Sequence, residues 1–144
     1  MTRWRRTRVL VLGDPSLRGA LADEVRAAAA VDEISTPRPG LVLATVRESA
    51  RRSLFHLGEV LVTEAKVRVA GVLGLGLIRG RDSQAALDLA VVDAACNAGL
   101  AVAQGWLPRL AAAEEALERQ LDRESAALAS TRVEFETLDT GAAP

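Results

Sequence analysis

The chain has 144 residues, 49% of them hydrophobic and 26% charged, which is the balance of one ordinary globular domain. Its formal net charge of −1 gives no general attraction to nucleic acid or to an anionic membrane surface. The only cysteine is Cys96 and the only histidine is His56, so the composition excludes an intramolecular disulfide and disfavours a metal site built from these residues.

The first 30 residues contain one ambiguous segment and one clear helix. Residues 9–12 are apolar and are followed by Gly13-Asp14-Pro15, a pattern that fits a buried strand and a turn. This apolar run is too short for a signal peptide or a membrane span, so we expect a cytoplasmic protein. Residues 16–30 predict a helix with Asp14 or Ser16 as its N-cap, and its apolar stripe is Leu17, Leu21 and Val25.

The hydrophobic period changes after this helix. Pro37 and Pro39-Gly40 predict a loop, residues 41–46 predict a short strand, and residues 48–53 predict a charged connector. Residues 59–69 and 72–79 then predict a β-hairpin around a tight turn at Ala70-Gly71.

Each strand of the predicted hairpin has two distinct faces. In the first strand, alternation gives an apolar face (Leu61, Thr63, Ala65, Val67 and Val69) and a partly solvated charged face (Glu64, Lys66 and Arg68). In the second strand, one face carries leucines (Leu73, Leu75 and Leu77), and the other carries Gly74 and Gly76 with Ile78. Two positions without side chains on one face allow another backbone or a ligand to approach closely.

Two further helices and a last strand complete the predicted domain. Residues 83–97 predict a helix capped by Asp82 or Ser83, with Gly99 just past its end. Residues 107–128 predict a second helix. Its leucine seam consists of Leu107, Leu110, Leu117, Leu121 and Leu128 and is interrupted by Glu114 and Glu124. We expect this seam to pack on a helix of this chain or of a partner. Residues 131–138 predict a strand and residues 141–144 a disordered tail.

The order of these elements predicts the fold class. We expect one α+β domain over residues 1–140, in which an antiparallel sheet with a central hairpin at residues 59–79 is packed on one face by α-helices.

The most suggestive candidate site is Gly80-Arg81-Asp82, between a predicted strand and a predicted helix. A helix N-terminus and an arginine fork both suit a phosphate or phosphonate group, which makes these residues a candidate anion-binding site or interface. Asp82 opposes anion binding because it places its own carboxylate there. The structural alternative is that Gly80 makes the turn, Asp82 caps the helix and Arg81 pairs with a surface carboxylate.

Several other residues have both a functional and a structural interpretation. Asp93 lies in an apolar stretch, so it is a functional acid, a member of a structural ion pair or an exposed side chain. His56 could be a general base, but no motif places a serine or cysteine nucleophile near it. Cys96 has no local basic group to activate it, and Trp4 and Trp106 are expected to be core or interface anchors.

Three blocks of the sequence carry a family resemblance. The first spans residues 55–68 and includes Gly58, Glu59 and Thr63; the second runs from residue 75 through Gly80-Arg81-Asp82 to Asp93; the third includes Arg132, Phe135 and Thr137. In this order and spacing the blocks resemble the PhnG family, the G subunits of the bacterial carbon–phosphorus lyase core complex. The resemblance favours a helix for residues 1–14.

The resemblance also implies a function and a set of partners. PhnG proteins join PhnH, PhnI and PhnJ type subunits in a symmetric complex with two copies of each, including a second PhnG copy, and are functionally linked to PhnL. This assembly supports transfer of an alkylphosphonate to ribose C1 of ATP, which displaces adenine during phosphonate catabolism. The resemblance assigns no catalytic residue to PhnG, and it implies ATP as a substrate of the complex, with no cofactor bound by this chain alone.

Three hypotheses for the function remain open at this stage. The chain is a subunit of a transferase complex that is not catalytic alone, a module that binds ATP or a phosphonate through Arg81, or a purely structural assembly subunit. An unrelated enzyme that acts alone has no support, because no complete catalytic constellation is present in the sequence.

Overall fold

The computed structural model describes residues 1–129, which form five helices and three strands. In chain order these are α1 (Arg3–Leu12), α2 (Pro15–Ala28), β1 (Val31–Arg47), β2 (Leu54–Val69), β3 (Val72–Arg79), α3 (Ser83–Asn97), α4 (Ala101–Gln104) and α5 (Leu107–Ala129). The strands form an antiparallel sheet in the order β1-β2-β3, with helices on one face, which confirms the predicted α+β fold. The strand predicted at residues 131–138 and the tail predicted at residues 141–144 lie outside the described residues.

Residues 3–12 are helical, so the strand alternative for residues 9–12 is wrong. α1 begins after Thr2, whose hydroxyl accepts a hydrogen bond from the Arg5 backbone N–H. Val9 and Leu10 are buried in the core. The following helix, α2, is capped by Asp14, the first of the two predicted N-caps, which accepts a hydrogen bond from the Ser16 N–H at 2.8 Å.

β1 differs most from its prediction. The loop predicted at Pro37 and Pro39-Gly40 and the short strand predicted at residues 41–46 belong to one strand of 17 residues. The register shifts between residues 33 and 38, so Pro37 falls inside an irregular stretch of the ladder. β1 is an edge strand, where a proline removes no hydrogen bond that a second neighbour would need.

β2 and β3 form the predicted hairpin. Its turn residues, Ala70 and Gly71, both have positive φ, of 49° and 79°, as a two-residue hairpin turn requires. The predicted apolar face of β2 points towards the helices and is buried from Thr63 onward, whereas its charged face is half-buried or exposed. β2 begins at Leu54 rather than at residue 59.

Gly74 and Gly76 bring β3 directly against α3. A Cβ at Gly74 would lie 2.1 Å from the Ala90 carbonyl oxygen, and a Cβ at Gly76 would lie 1.9 Å from the Ala86 carbonyl oxygen. The close approach predicted from these two glycines is therefore made by a helix backbone. α3 is buried on nearly every side because it packs against both the sheet and α2.

α5 packs beside α1 along only part of its length. Leu110 and Leu117 are buried, but Leu107 and Leu128 are exposed, so only the central part of the predicted leucine seam packs in the core. Glu114, which interrupts the seam, is itself buried. α5 has 23 residues, yet neither it nor any other helix within residues 1–129 is long and apolar enough to cross a membrane.

β1 and β2 continue beyond the three-stranded sheet as a two-stranded extension. β3 pairs with β2 only at residues 62–69, whereas β1 pairs with β2 as far as Arg47 and Leu54. We term residues 40–61 the β-arm. A bulge interrupts it between Ala44 and Thr45, opposite Gly58, whose φ is 153°.

Candidate functional site

Gly80, Arg81 and Asp82 form the turn between β3 and α3. Gly80 has a φ of 87°, and its N–H donates a hydrogen bond to the Leu61 carbonyl oxygen at 2.8 Å. The Thr63 hydroxyl donates to the Gly80 carbonyl oxygen at 2.7 Å and accepts from the Asp82 N–H at 3.3 Å. A buried side chain of β2 thus fixes both ends of this turn.

The two charged side chains of the turn have different environments. Asp82 accepts a hydrogen bond from the Ala85 N–H at 2.8 Å, so it caps α3 as predicted. Its carboxylate therefore takes the place that an external anion would occupy at this helix start. Arg81 and the nearby Arg79 are exposed, and neither forms an ion pair with another residue of the 1–129 range. The surface carboxylate expected beside Arg81 is thus not found in that range.

Asp93 is the centre of a buried polar cluster. Arg3 donates two hydrogen bonds to its carboxylate, at 2.9 and 2.7 Å, and Arg6 donates a third at 2.9 Å. The Leu75 backbone N–H, on the free edge of β3, and the Asn97 amide complete the set at 3.2 Å each. These five donors use the acceptor capacity of the carboxylate, so Asp93 is buried in an ion pair and is not the exposed side chain that was one of its three predicted alternatives.

Large apolar side chains remain exposed beside this cluster. Leu73, Leu75 and Leu77 project from the face of β3 that no helix of residues 1–129 covers and are 41–51% exposed, and Trp4 of α1 is 70% exposed. We term these four residues the open-face patch. Trp4, Leu75 and Leu77 contribute to the lining of an open cleft of about 540 Å³ that Asp93 also borders. Of the two tryptophans predicted as anchors, only Trp106 is in the core.

The remaining candidates do not form a catalytic or metal centre within residues 1–129. His56 is exposed on the β-arm, opposite Thr45. Cys96 is half-buried, and burial raises the pKa of its thiol, which disfavours the reactive thiolate at neutral pH. No three histidine, cysteine, aspartate or glutamate side chains of this range lie close enough together to share a metal ion.

The structure brings together only some of the residues that carry the family resemblance. Thr63 contacts Gly80 and Asp82, whereas Gly58 and Glu59 lie along the β-arm. Asp93 lies further along α3 within its arginine cluster. Arg132, Phe135 and Thr137 lie outside the described residues.

Sequence reasoning missed the contacts that connect these elements. The signals for the role of Thr63 were its place in the first resemblance block and a hydroxyl side chain on an otherwise apolar strand face. Nothing in the sequence indicated a structural role for Glu24. Its carboxylate accepts hydrogen bonds from Arg109 and Trp106, which together lower the pKa of the Glu24 carboxyl. Both roles depend on partners that are distant in the chain.

The comparison with protein families covers nearly the whole chain. The family model described as phosphonate metabolism protein PhnG matches residues 1–141. The chain belongs to the PhnG family. This PhnG-family chain therefore has its role in phosphonate metabolism, and the resemblance carried by the three sequence blocks is confirmed. Comparison with individual curated proteins gives no match.

Proposed function

We propose that this PhnG-family chain is a subunit that is not catalytic alone and that supports transfer of an alkylphosphonate to ribose C1 of ATP, with displacement of adenine. The open-face patch is the observation that carries the proposal. Four large apolar side chains are left uncovered beside an open cleft, and contiguous exposed apolar surface of this kind marks an interaction site in a soluble protein. Family membership assigns the chain to phosphonate metabolism, and the open-face patch supports a role in association with other proteins.

The buried carboxylates support the same view. The reaction forms a bond between a phosphonate oxygen and C1, breaks the bond between C1 and the adenine nitrogen, and requires a proton for the departing base. Asp88, Asp93 and Glu114 are the buried acids of the 1–129 range. Each is engaged by an arginine, at 2.6 to 2.9 Å, and is therefore poorly placed to supply that proton.

Co-expression with the phosphonate-metabolism proteins encoded beside this chain tests the association. A tagged wild-type chain should recover at least one of these proteins through size-exclusion chromatography. Leu75→Glu places a charge in the open-face patch and should reduce recovery, whereas Leu107→Glu, at a comparably exposed leucine at the start of α5, should not. If the wild-type chain recovers none of these proteins, the subunit role is wrong.

Adenine release from ATP in the presence of methylphosphonate tests the reaction. The assembled proteins should release adenine when this chain is present and lose that activity when it is omitted. The isolated chain should release none. Equal release with and without the chain would contradict the proposal, and release by the chain alone would show that it is itself an enzyme.

A second function is favoured by the environment of Arg81. Its guanidinium is exposed and has no carboxylate partner within residues 1–129, and the turn that carries it is fixed by Thr63. We propose as an alternative that Gly80-Arg81-Asp82 contributes an anion contact for the triphosphate or the phosphonate. Because Asp82 fills the helix start, this contact would depend on the arginine fork.

Arg81→Ala distinguishes this alternative from a purely structural subunit. If Arg81 contacts the anion, the variant should assemble normally but bind ATP or methylphosphonate more weakly. Arg119→Ala, which removes an exposed arginine of α5, is the matched control and should change neither property. Normal assembly and normal turnover by Arg81→Ala would end the anion-binding hypothesis and favour the structural one.

A further inference from the structure

Both faces of the β-arm carry exposed apolar side chains. Cross-strand partners share a face, and the face continuous with the helix-covered side carries Leu41, Leu43 and Leu54 among polar residues (Thr45, Arg47, His56 and Glu59). The opposite face carries Val42, Val46 and Phe55. All six side chains are exposed, so the helices that cover the three-stranded sheet do not reach this extension. An ordinary solvated hairpin presents a polar face to water, whereas here one face is wholly apolar and leucines interrupt the polar residues of the other.

Among residues 1–129, no further strand pairs with either edge of the β-arm. β1 is an edge strand along its whole length, and residues 54–61 of β2 lie beyond the pairing with β3. Prolines interrupt β1 at positions 37 and 39, but none occurs at residues 40–47. The prolines that would protect an exposed edge thus lie at the base of the β-arm, and along it only the bulge at Ala44 and Thr45 interrupts the ladder.

The β-arm has a charge opposite to that of the chain. Its residues 40–61 contain three arginines and two glutamates, whereas the whole chain has a net charge of −1. At the tip, Glu48 accepts hydrogen bonds from the Arg51 N–H and the Ser53 hydroxyl and pairs with none of the arginines there. Arg47, Arg51 and Arg52 therefore present their positive charges without a carboxylate partner from residues 1–129.

We propose that the β-arm inserts into a cleft of a different protein, with apolar walls against both faces and carboxylates at the end that receives the tip. The inference rests on the proposed subunit function and names a second association surface besides the open-face patch. Apolar walls would cover the exposed leucines, valines and Phe55, and carboxylates would complement the three arginines.

A second copy of this chain fits the β-arm less well. Two arms side by side in the same direction would bring the arginine-rich tips together. In the opposite direction each tip would approach the base of the other arm, where Arg38 pairs with Glu64 at 3.7 Å but Arg79 has no carboxylate partner within residues 1–129. Both arrangements place like charges together, which is unfavourable, so an acidic partner is the occupant that the charge favours.

Adjacent residues on opposite faces give a direct test. In the co-expression assay, Leu54→Glu and Phe55→Glu should each reduce partner recovery by about tenfold or more, as hot-spot substitutions do. Leu107→Glu, outside the β-arm, should recover the partner as the wild type does. Because the side chains at these positions are exposed, circular dichroism and the unfolding midpoint should be unchanged in all three variants.

Photo-cross-linking and charge reversal test the shape and charge of the cleft. A benzophenone side chain at position 54 and one at position 55 should cross-link to the same partner, because the proposed cleft encloses both faces. The triple variant R47E/R51E/R52E should weaken association about tenfold, and association of the wild type should weaken as salt rises.

The outcomes separate the two proposals. If the wild type recovers no partner, the subunit function fails and the β-arm inference fails with it. If the wild type recovers a partner and both arm variants recover it equally, only the β-arm inference fails. Cross-links from one face alone would exclude an enclosing cleft, and a wild-type homodimer that Leu54→Glu dissociates would identify a second copy as the occupant.

Discussion

Three arginines of α1 connect that helix to α3 and α5 through ion pairs. Arg3 and Arg6 bind Asp93 of α3, and Arg5 binds Glu114 of α5 through hydrogen bonds of 2.7 and 2.6 Å. The carboxylates are buried, whereas the arginine side chains range from nearly buried Arg6 to half-exposed Arg3 and Arg5. Replacing the acids should therefore reduce the free energy of unfolding more than replacing the arginines.

Asp93→Asn should destabilise the protein by about 3 kcal/mol, because it leaves Arg6 nearly buried without its counter-charge. Chemical denaturation monitored by circular dichroism measures the change. Asp23→Asn is the control, since Asp23 pairs with Arg26 at the surface and its loss should cost about 0.5 kcal/mol or less. A loss for Asp93→Asn as small as that of the control would show that the cluster does not stabilise the fold.

Glu114 makes stability depend on pH in a known direction. The side-chain hydrogen bonds from Arg5 lower the pKa of the Glu114 carboxyl below its ordinary value of 4.5. A lowered pKa in the folded state gives stability that is present above pH 4.5 and is lost as the pH falls through the folded pKa. The urea midpoint of the wild type should therefore fall between pH 5 and pH 3.

Glu114→Gln should be less stable at pH 7 and should lose less further stability on acidification than the wild type. The loss does not vanish, because the pKa values of the Asp14, Glu24 and Glu64 carboxyls are also lowered in the folded state. Parallel midpoints for the two proteins across this pH range would show that the pair with Arg5 does not contribute.

Residues whose role is local could be predicted from the sequence, and residues with distant partners could not. The Asp82 cap involves the Ala85 N–H three positions away, and the positive φ of Gly80 suits a glycine, so residue type alone indicates both. Asp93 meets Arg3 across 90 positions, and Thr63 meets Gly80 across 17. For Asp93 the sequence indicated that a partner was needed but could not identify it.

At the scale of elements, the contact between β3 and α3 depends on two glycines of β3, Gly74 and Gly76, which have no side chains. Gly76→Ala should destabilise the protein by about 3 kcal/mol, because the new Cβ would lie 1.9 Å from the Ala86 carbonyl oxygen and must displace a helix. Gly40→Ala is the control in the same sheet, since nothing lies within 4 Å of its added Cβ. Thermal unfolding of both variants tests this, and equal midpoints would mean that α3 can move away freely.

β1 shows where element boundaries depend on topology. Pro37 and Pro39 favour a loop in any local analysis, and in a central strand they would prevent pairing. The prediction failed because β1 is an edge strand whose irregular register accommodates them. The hairpin, by contrast, was predicted closely because its alternation and its Ala70-Gly71 turn are both local signals.

At the scale of the whole molecule, the helices cover one face of the sheet and leave two apolar surfaces uncovered. The open-face patch and the β-arm lie on different parts of the same sheet. A sequence with apolar residues on both faces of a strand predicts burial on both sides, and within residues 1–129 helices cover only one. A partner that covers the second face is what the proposed subunit function requires.

The two tryptophans allow this conclusion to be tested in one measurement. Trp4 is 70% exposed in the open-face patch, with the Arg8 guanidinium 5.9 Å from its ring centroid, whereas Trp106 is 2% exposed. With 5-fluorotryptophan incorporated only into this chain, the fluorine spectrum should show two resonances. In the free chain the Trp4 resonance should respond to exchange of H₂O for D₂O, and the Trp106 resonance should not.

On addition of an unlabelled partner, the Trp4 resonance should shift and lose its sensitivity to D₂O, because the partner excludes solvent from the open-face patch. The Trp106 resonance is the internal control and should keep its position, since its side chain is already buried and donates a hydrogen bond to Glu24 at 2.8 Å. A Trp4→Phe chain identifies the two signals. A complex in which the Trp4 resonance stays sensitive to D₂O would show that the partner binds elsewhere and leaves the open-face patch exposed.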